Sequence, residues 1–444
     1  MTDTPIAGPA ETHQRALRIN LDRSLYGSFA EIGAGQEVAC WFFQVGGAAG
    51  TIGRTISAYD MAMSDALYGK SPRYVSRERL LAMLDCEHAL LVQEVGPVRG
   101  PGTRLFAFAD TVAARNYAGT NECHGWLGVR FQTEPGGAPS DAVLHVNMLE
   151  PSYLLQQQSI GILGVNLIHA VYHDRASPPR FLDSLFDGLS RERVEVDVAE
   201  LSGPAFHDFD PRLVGLGLVR RGLAAAIVFD AGGGLAPPTE LLRRRPVVVE
   251  RGRYRTDKAL HGPLLAAAGG QLRGELAASA RAPLCLFEMH AGAAEPAGAP
   301  ADAELLQRIA RLTGRSYPVA VTSYPLAWEL TEYLRRYTQE PIRFALGAST
   351  LVEVLLAQAG EAAIGGGLQG LGKLLARNVR LYVYPMAAEV FRERLERAGQ
   401  DPGAVAFDPA RPVGADGIRF APPFGHLYDY LLGAGWIVPL PLPA

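Results

Sequence analysis

Cysteine is scarce in this chain. The 444 residues hold four, Cys40, Cys86, Cys123 and Cys285. None forms a C-x-x-C pair and their spacing fits no zinc pattern. That excludes a disulfide-stapled scaffold and a Cys-based metal centre, and leaves reduced, mostly buried thiols. Long apolar runs are missing too. No stretch approaches the roughly 18 residues of a membrane-spanning helix. The N-terminus carries Asp3, Glu11 and His13 where a signal peptide would have an apolar core, so the bacterial cytoplasm is the expected address. No charge of one sign dominates. Net charge is −4, which gives no electrostatic case for nucleic acid or an anionic membrane. Motifs are absent as well: there is no G-x-S-x-G elbow, no H-E-x-x-H and no repeat of fixed period.

What is present is a globular composition, with 48% hydrophobic and 20% charged residues and 49 glycines. The length suits two or three domains of roughly 100–200 residues each. From about residue 193 to 386 strand and helix patterns alternate. The strand candidates are Val194–Val198, Ala225–Asp230, Pro246–Glu250, Pro283–His290, Pro318–Ser323, Pro341–Gly347 and Val379–Tyr384. Parallel strands need helical crossovers, and such sheets bind ligands at their carboxyl ends. The fold expected is α/β: a mostly parallel β-α alternating unit, either a doubly wound sheet or barrel-like, preceded by an N-terminal α+β region. Eight strands would favour the barrel.

The organisation expected is a loose tail over 1–17, an α+β domain over 18–150, a helical bridge over 151–189, the α/β domain over 190–390, and a Pro-rich segment over 391–444. Within the first domain, Ser76 caps a helix running to Glu87. Leu90–Glu94, Thr103–Phe108, Gly128–Thr133 and Asp141–Met148 read as strands. Ala291–Ala301 reads as a Pro/Ala/Gly loop.

Six places carry candidate chemistry. Gly33–Glu37 and Gly46–Thr51 are Gly-rich loops next to a helix, able to hold phosphate on backbone N–H groups or simply to pack tightly. Asp230 followed by Gly232, Gly233 and Gly234 forms a ligand lip after a strand, or a flexible loop. Glu250, Arg251, Arg253 and Arg255 surround one turn; guanidinium groups clamp oxyanions there or stay solvated. Glu288 and His290 stand two apart on a strand and share a face. They suit acid/base work or could supply two ligands of a divalent metal, and a paired carboxylate and a satisfied core histidine remain open as well. Gly347, Ser349 and Thr350 end a strand and open a helix, capping it or receiving an anion. His124, beside Trp126 and behind Asn121, could read a flat ligand or sit in a turn.

Several stretches resemble an uncharacterised bacterial family: Leu25-Tyr26-Gly27-Ser28-Phe29-Ala30-Glu31-Ile32-Gly33-Ala34-Gly35-Gln36-Glu37, His124-Gly125-Trp126 with Phe131-Gln132, Gly161–Ile168 and Asn378–Pro385. The resemblance spans nearly the whole chain. Members carry labels such as nicotinate- or nicotinamide-mononucleotide adenylyltransferase, or TonB-dependent receptor. The first label implies an H-x-G-H-type motif, and His124-Gly125 and His261-Gly262 depart from it. The second implies an exported barrel, at odds with alternating strands and helices.

These residues point to an enzyme, a transferase or hydrolase of a phosphorylated or nucleotide-like small molecule. Glu288, His290, Asp230 and Glu250 would do its chemistry and the Arg and Gly groups would hold an anion. Such a site requires these residues to converge. The alternative is a non-catalytic protein that oligomerises or docks a partner through Phe29–Gly53 and its Pro-rich end.

Overall fold

The computed structural model describes residues 9–119, 121–255, 261–291, 299–359, 367–399 and 405–442. Most of the loop expected over 291–301 lies outside them, as do residues 1–8 of the expected tail. The chain divides into two units, Met1–Ala225 and Ala226–Ala444.

The first unit carries strands β1 (Leu25–Gly33), β2 (Ile52–Ile56), β3 (Arg104–Val112), β4 (His124–Phe131), β5 (Ser140–Met148) and β6 (Val194–Ser202). Their order in the sheet is β2-β1-β3-β4-β5-β6. β1 pairs in parallel with β2 and β3, and the rest of the sheet is antiparallel. Alternation gives the sheet two buried faces. On one, Ala30, Ala107, Ala109, Trp126 and Val143 pack against Leu80, Met83 and Leu84 of helix Arg77–Leu90. Ser76 caps that helix, its Oγ accepting the Arg79 N–H at 3.2 Å. Phe29, Phe106 and Phe108 on the other face form a tilted and edge-on aromatic set.

Three expectations for this unit change. Residues 9–21 form a helix, Pro9–Leu21, anchored by Arg15 donating to the Ser184 carbonyl at 2.7 Å. Leu90–Glu94 is helical: with no breaker before Gly96, the helix from Arg77 runs on through a wider turn at Leu91–Val95. A short apolar run does not separate strand from buried helix. Val194–Val198 belongs to β6, paired antiparallel with β5, because after the helices Tyr153–His173 and Pro178–Leu185 the chain returns to the first sheet.

The second unit carries β7 (Ala226–Phe229), β8 (Leu235–Ala236), β9 (Val247–Arg251), β10 (Leu284–His290), β11 (Val319–Thr322), β12 (Ile342–Gly347), β13 (Val379–Tyr384), β14 (Val405–Ala406), β15 (Arg419–Phe420) and β16 (Ile437–Pro439). β14 and β15 pair with each other. The other eight form one sheet in the order β16-β13-β12-β9-β10-β11-β7-β8. All pairings from β16 to β11 are parallel, and β7 and β8 are antiparallel additions. The α/β class holds. The sheet has eight strands but is open, since β16 and β8 are its edges. Val247–Val249, Leu286, Phe344 and Leu381 are fully or nearly fully buried, as strands covered by helices on both faces require.

Candidate functional site

Chain order through the parallel strands runs β9, β10, β11 outward to one side, then β12, β13, β16 outward to the other. This is the 3-2-1-4-5-6 order of a doubly wound dinucleotide-type sheet. Crossovers are right-handed, so reversing direction at β9/β12 sends the connections to opposite faces. Sheets of this order have their crevice where the connections diverge, which here falls outside the carboxyl ends of β9 and β12.

Register decides which side chains meet there. Glu288 is paired with Arg251, and His290 with Thr322. Strand alternation places Arg251, Glu288, His290 and Thr322 on one face. Glu288 is fully buried. Its Oε1 accepts from Thr322 Oγ1 at 2.5 Å and its Oε2 lies 3.1 Å from Arg251 Nε. Burial pushes the Glu288 carboxyl up, and Arg251 and Thr322 pull it back. Arg251 also donates to the Tyr324 carbonyl, and the Gly252 N–H donates to the Glu288 carbonyl at 3.0 Å. The turn after β9 is therefore fixed to β10. Burial, then the Arg251 charge, lowers the His290 pKa, so this half-buried imidazole is neutral at pH 7.

Glu250 points to the opposite face, where His261 Nδ1 bonds its Oε1. Tyr254 lies against His261 and Phe287 edge-on, and its hydroxyl donates to the Glu250 carbonyl at 2.6 Å. Burial pushes the Glu250 carboxyl up, against the pull of His261. So Glu288 and Glu250, both at carboxyl ends, look out on different sides of the sheet.

β12 runs directly into helix Ala348–Ala359. Ser349 falls inside the first turn, and does not cap it. It is fully buried, and its Oγ has no hydrogen-bond partner. Glu353, one turn further on, feels the charges of Arg394 and Arg253, which oppose the upward push of burial on its carboxyl. Arg253 acts on His290 as well. Arg394 Nη1 approaches to 4.0 Å of where a Gly347 side chain would begin. The exposed Arg253 forms no ion pair among the described residues. The β9, β10 and β12 ends therefore bring together Arg251, Arg253, Glu288, His290, Gly347, Ser349 and Thr350.

Asp230 and Gly232–Gly234 lie elsewhere. β7 runs antiparallel to β11, with Phe229 opposite Val319, so its end meets the amino ends of the parallel strands. There Asp230 Oδ1 accepts from the N–H groups of Gly232 (2.8 Å) and Gly234 (3.0 Å), closing the β7–β8 hairpin. Asp230→Ala is expected to lower stability by about 1 kcal/mol and to leave ligand binding at the crevice untouched, as parallel urea-denaturation and calorimetric titrations would show. His124 opens β4 in the first unit. Its Nδ1 is 3.1 Å from His145 Nε2, and His145 Nδ1 is 2.5 Å from Asp197 Oδ1. Asn147 donates to the other Asp197 oxygen at 2.7 Å. His124 thus belongs to a buried polar chain that runs through His145 to Asp197.

Thr322, Glu353 and Arg394 were not evident from local spacing, because each lies on a different element, and the same holds for His261 on the opposite face. Local signals came from the Glu288–His290 alternation, the Arg-rich turn after β9 and the strand end at Gly347–Thr350. Among the described residues, no group of three or more His, Cys, Asp or Glu side chains is placed to hold a metal ion. Nor is any described helix long and apolar enough to cross a membrane.

No family model matches the sequence, and no curated protein matches it. Among solved structures, the competence/damage-inducible protein CihA from Agrobacterium tumefaciens is 21% identical over 37% of this chain and 93% of that one, with a TM-score of 0.24. A competence-damaged (CinA) superfamily protein from Escherichia coli is 15% identical over 42% of this chain and 94% of that one, with a TM-score of 0.25. Likeness at this level carries no argument about architecture or activity.

Proposed function

We propose that the second unit binds a phosphorylated or nucleotide-like small molecule in the β9/β12 crevice and acts on it as a transferase or hydrolase. The observation that carries this reading is the reversal of strand order between β9 and β12. Arg253 and the helix start at Ser349–Thr350 take the anionic group. The neutral His290 imidazole serves as proton acceptor. Arg251 is held in place by Glu288, which makes Glu288 a positioning residue.

A thermal-shift screen of the whole chain against AMP, ADP and ribose 5-phosphate, each with and without Mg²⁺, tests this. A ligand at about 100 times its Kd stabilises the unit that binds it by about 2.7 kcal/mol. The shift is expected to shrink strongly in Arg253→Ala and Ser349→Ala. His290→Ala should keep the shift while losing turnover. A screen in which none of these ligands moves the transition would remove the proposal.

A second reading, partner docking or self-association, draws on one observation. Tyr59, Met61 and Met63 stand 54–68% exposed in the first unit, and Leu154 is 60% exposed. The segment first expected to serve, Phe29–Gly53, instead buries Phe29, Ala34, Val38 and Phe42 in its own fold. Light scattering on Met61→Lys/Met63→Lys against the unaltered chain separates the two. A drop from dimer to monomer supports docking, and a monomer throughout ends that reading.

A further inference from the structure

At the opposite end of the same sheet, two cavities adjoin. One, of about 470 Å³, is lined by Arg335, Lys373, Arg377, Thr331 and Gln369 among others. The second, of about 430 Å³, is lined by Leu371, Leu375, Leu427, Leu431 and Trp436. Gly372, Ala376 and Arg377 line both, so one wall is continuous. At Gly372 an added side-chain carbon would meet nothing within 4 Å.

The charge in the first cavity is under-compensated. Arg335 is buried, at 7% exposure, and among the described residues donates only to the carbonyls of Thr338, Glu340 and Arg377. Its Nε is buried without a partner. Burial and the neighbouring Arg377 and Arg343 charges depress its pKa to about 10. Arg377 is exposed and forms no ion pair among the described residues. Lys373 pairs with the exposed Glu332 at 3.4 Å and lies 4.0 Å from the centroid of the Trp328 ring. Two helices, Ala327–Arg335 and Gly367–Leu374, end here, and cations at such ends offset the helix dipoles. That accounts for Arg335's contacts with carbonyls, but not for three cations beside an apolar groove. In the groove, Leu368 is 73% exposed and Trp436 39%. Each cavity is of ligand size.

We propose that the two cavities form one site for a single-chain amphiphile with an anionic head, a fatty carboxylate or an alkyl phosphate. Its head lies among Arg335, Lys373 and Arg377. Its chain lies along Leu371, Leu427, Leu431 and Trp436. Charge complementarity selects the head and the apolar wall selects the chain.

The test is calorimetric titration of the full chain, below micelle-forming concentrations. The ligands are octanoate, decanoate, dodecanoate and dodecyl phosphate, with acetate as a head-only control and dodecyltrimethylammonium as a charge control. Saturable one-to-one binding is expected, tightening about fourfold per methylene until the groove is full. The two anionic heads, compared at equal chain length, distinguish a carboxylate from a phosphate ligand. Arg377→Glu should weaken dodecanoate binding at least tenfold. Gly372→Phe should block the chain while circular dichroism and melting temperature report an intact fold. The proposal is overturned if dodecanoate binds no better than acetate, if the cationic amphiphile binds as tightly, or if Arg377→Glu changes nothing.

Discussion

Arg251→Ala is expected to lower the stability of the second unit by about 3–5 kcal/mol, the usual result of stripping one partner from a buried ion pair. Glu288 is fully buried and its Oε2 faces nothing else in the described structure. Without the guanidinium, the carboxyl keeps only the Thr322 hydroxyl and must take up a proton. Its pKa is raised above the unfolded value even with Arg251 present. It rises further in the variant. The variant then binds more protons folded than unfolded, so its stability should fall as pH rises from about 4.5, the unfolded range. Glu288→Gln in the same chain removes the charge that needs pairing and should return most of the loss. Urea denaturation of the four proteins at pH 5 and 8, followed through the second unit's transition, gives the coupling directly. A loss below about 1 kcal/mol, or additive single effects, would show that Arg251 and Glu288 are not a working pair.

That pair fixes the turn after β9 to β10. The turn after β9 runs beside the carboxyl end of β10. Arg251 ties it to β10 through Glu288, and the Gly252 N–H ties it through the Glu288 carbonyl. On the other face, Tyr254 and His261 hold Glu250. The turn is thus fixed from both sides, with Arg253 exposed and His290 half-buried at its end. Pre-positioning of that kind reduces what a bound anion must order.

Much of this was legible in the sequence because parallel strands buried on both faces read as continuous apolar runs. Val247–Val249 and Val379–Tyr384 show it, and their bounds fell within a residue or so of β9 and β13. Strand direction was not legible. Ala226–Phe229 is as apolar as its parallel neighbours, yet it is antiparallel, which carries Asp230 to the far end of the sheet. Strand order was not legible either, and the reversal that defines the crevice is a property of order alone. Short strands escaped as well: Ile437–Pro439 is the sixth parallel strand, but its proline and its three-residue length give no periodic signal. In the first unit, Leu25–Gly33 hid because its glycines break the pattern that its burial would otherwise show.

The same segment carries the second large effect. Glu31 on β1 is paired directly with Asp110 on the parallel β3, and both carboxyls are buried. The Val38 N–H donates to Glu31 Oε1 at 2.8 Å, and the Ile32 N–H donates to Asp110 Oδ1 at 3.1 Å. Asp110 Oδ2 has no partner. Gly35 covers the pair so closely that an added Cβ would lie 1.8 Å from Asp110 Oδ1. Burial pushes Glu31 up to about 8, and burial together with Glu31 raises Asp110 well above its ordinary range. Both folded-state values exceed the unfolded ones. The stabilising protons are therefore fully in place below about pH 4, where the unfolded chain is protonated too. Above that, the unfolded chain ionises first. Each carboxyl then lowers stability by at most about 1.4 kcal/mol per pH unit until its folded form ionises, near pH 8 for Glu31 and with Asp110 adding its own loss. The first unit is expected to be less stable at pH 8 than at pH 5. Asp110→Asn keeps the acceptor for Ile32 and removes one charge, so it should match the unaltered chain below about pH 4 and exceed it by at most about 1.4 kcal/mol at pH 5. At pH 8 it should exceed it by at least about 2 kcal/mol. Other groups titrate in the same window, but they do so in both proteins, and the difference isolates the pair. If Asp110→Asn is equally destabilised at both pH values, the aspartate is ionised in the folded protein. Gly35 then covers a charge instead of a protonated carboxyl.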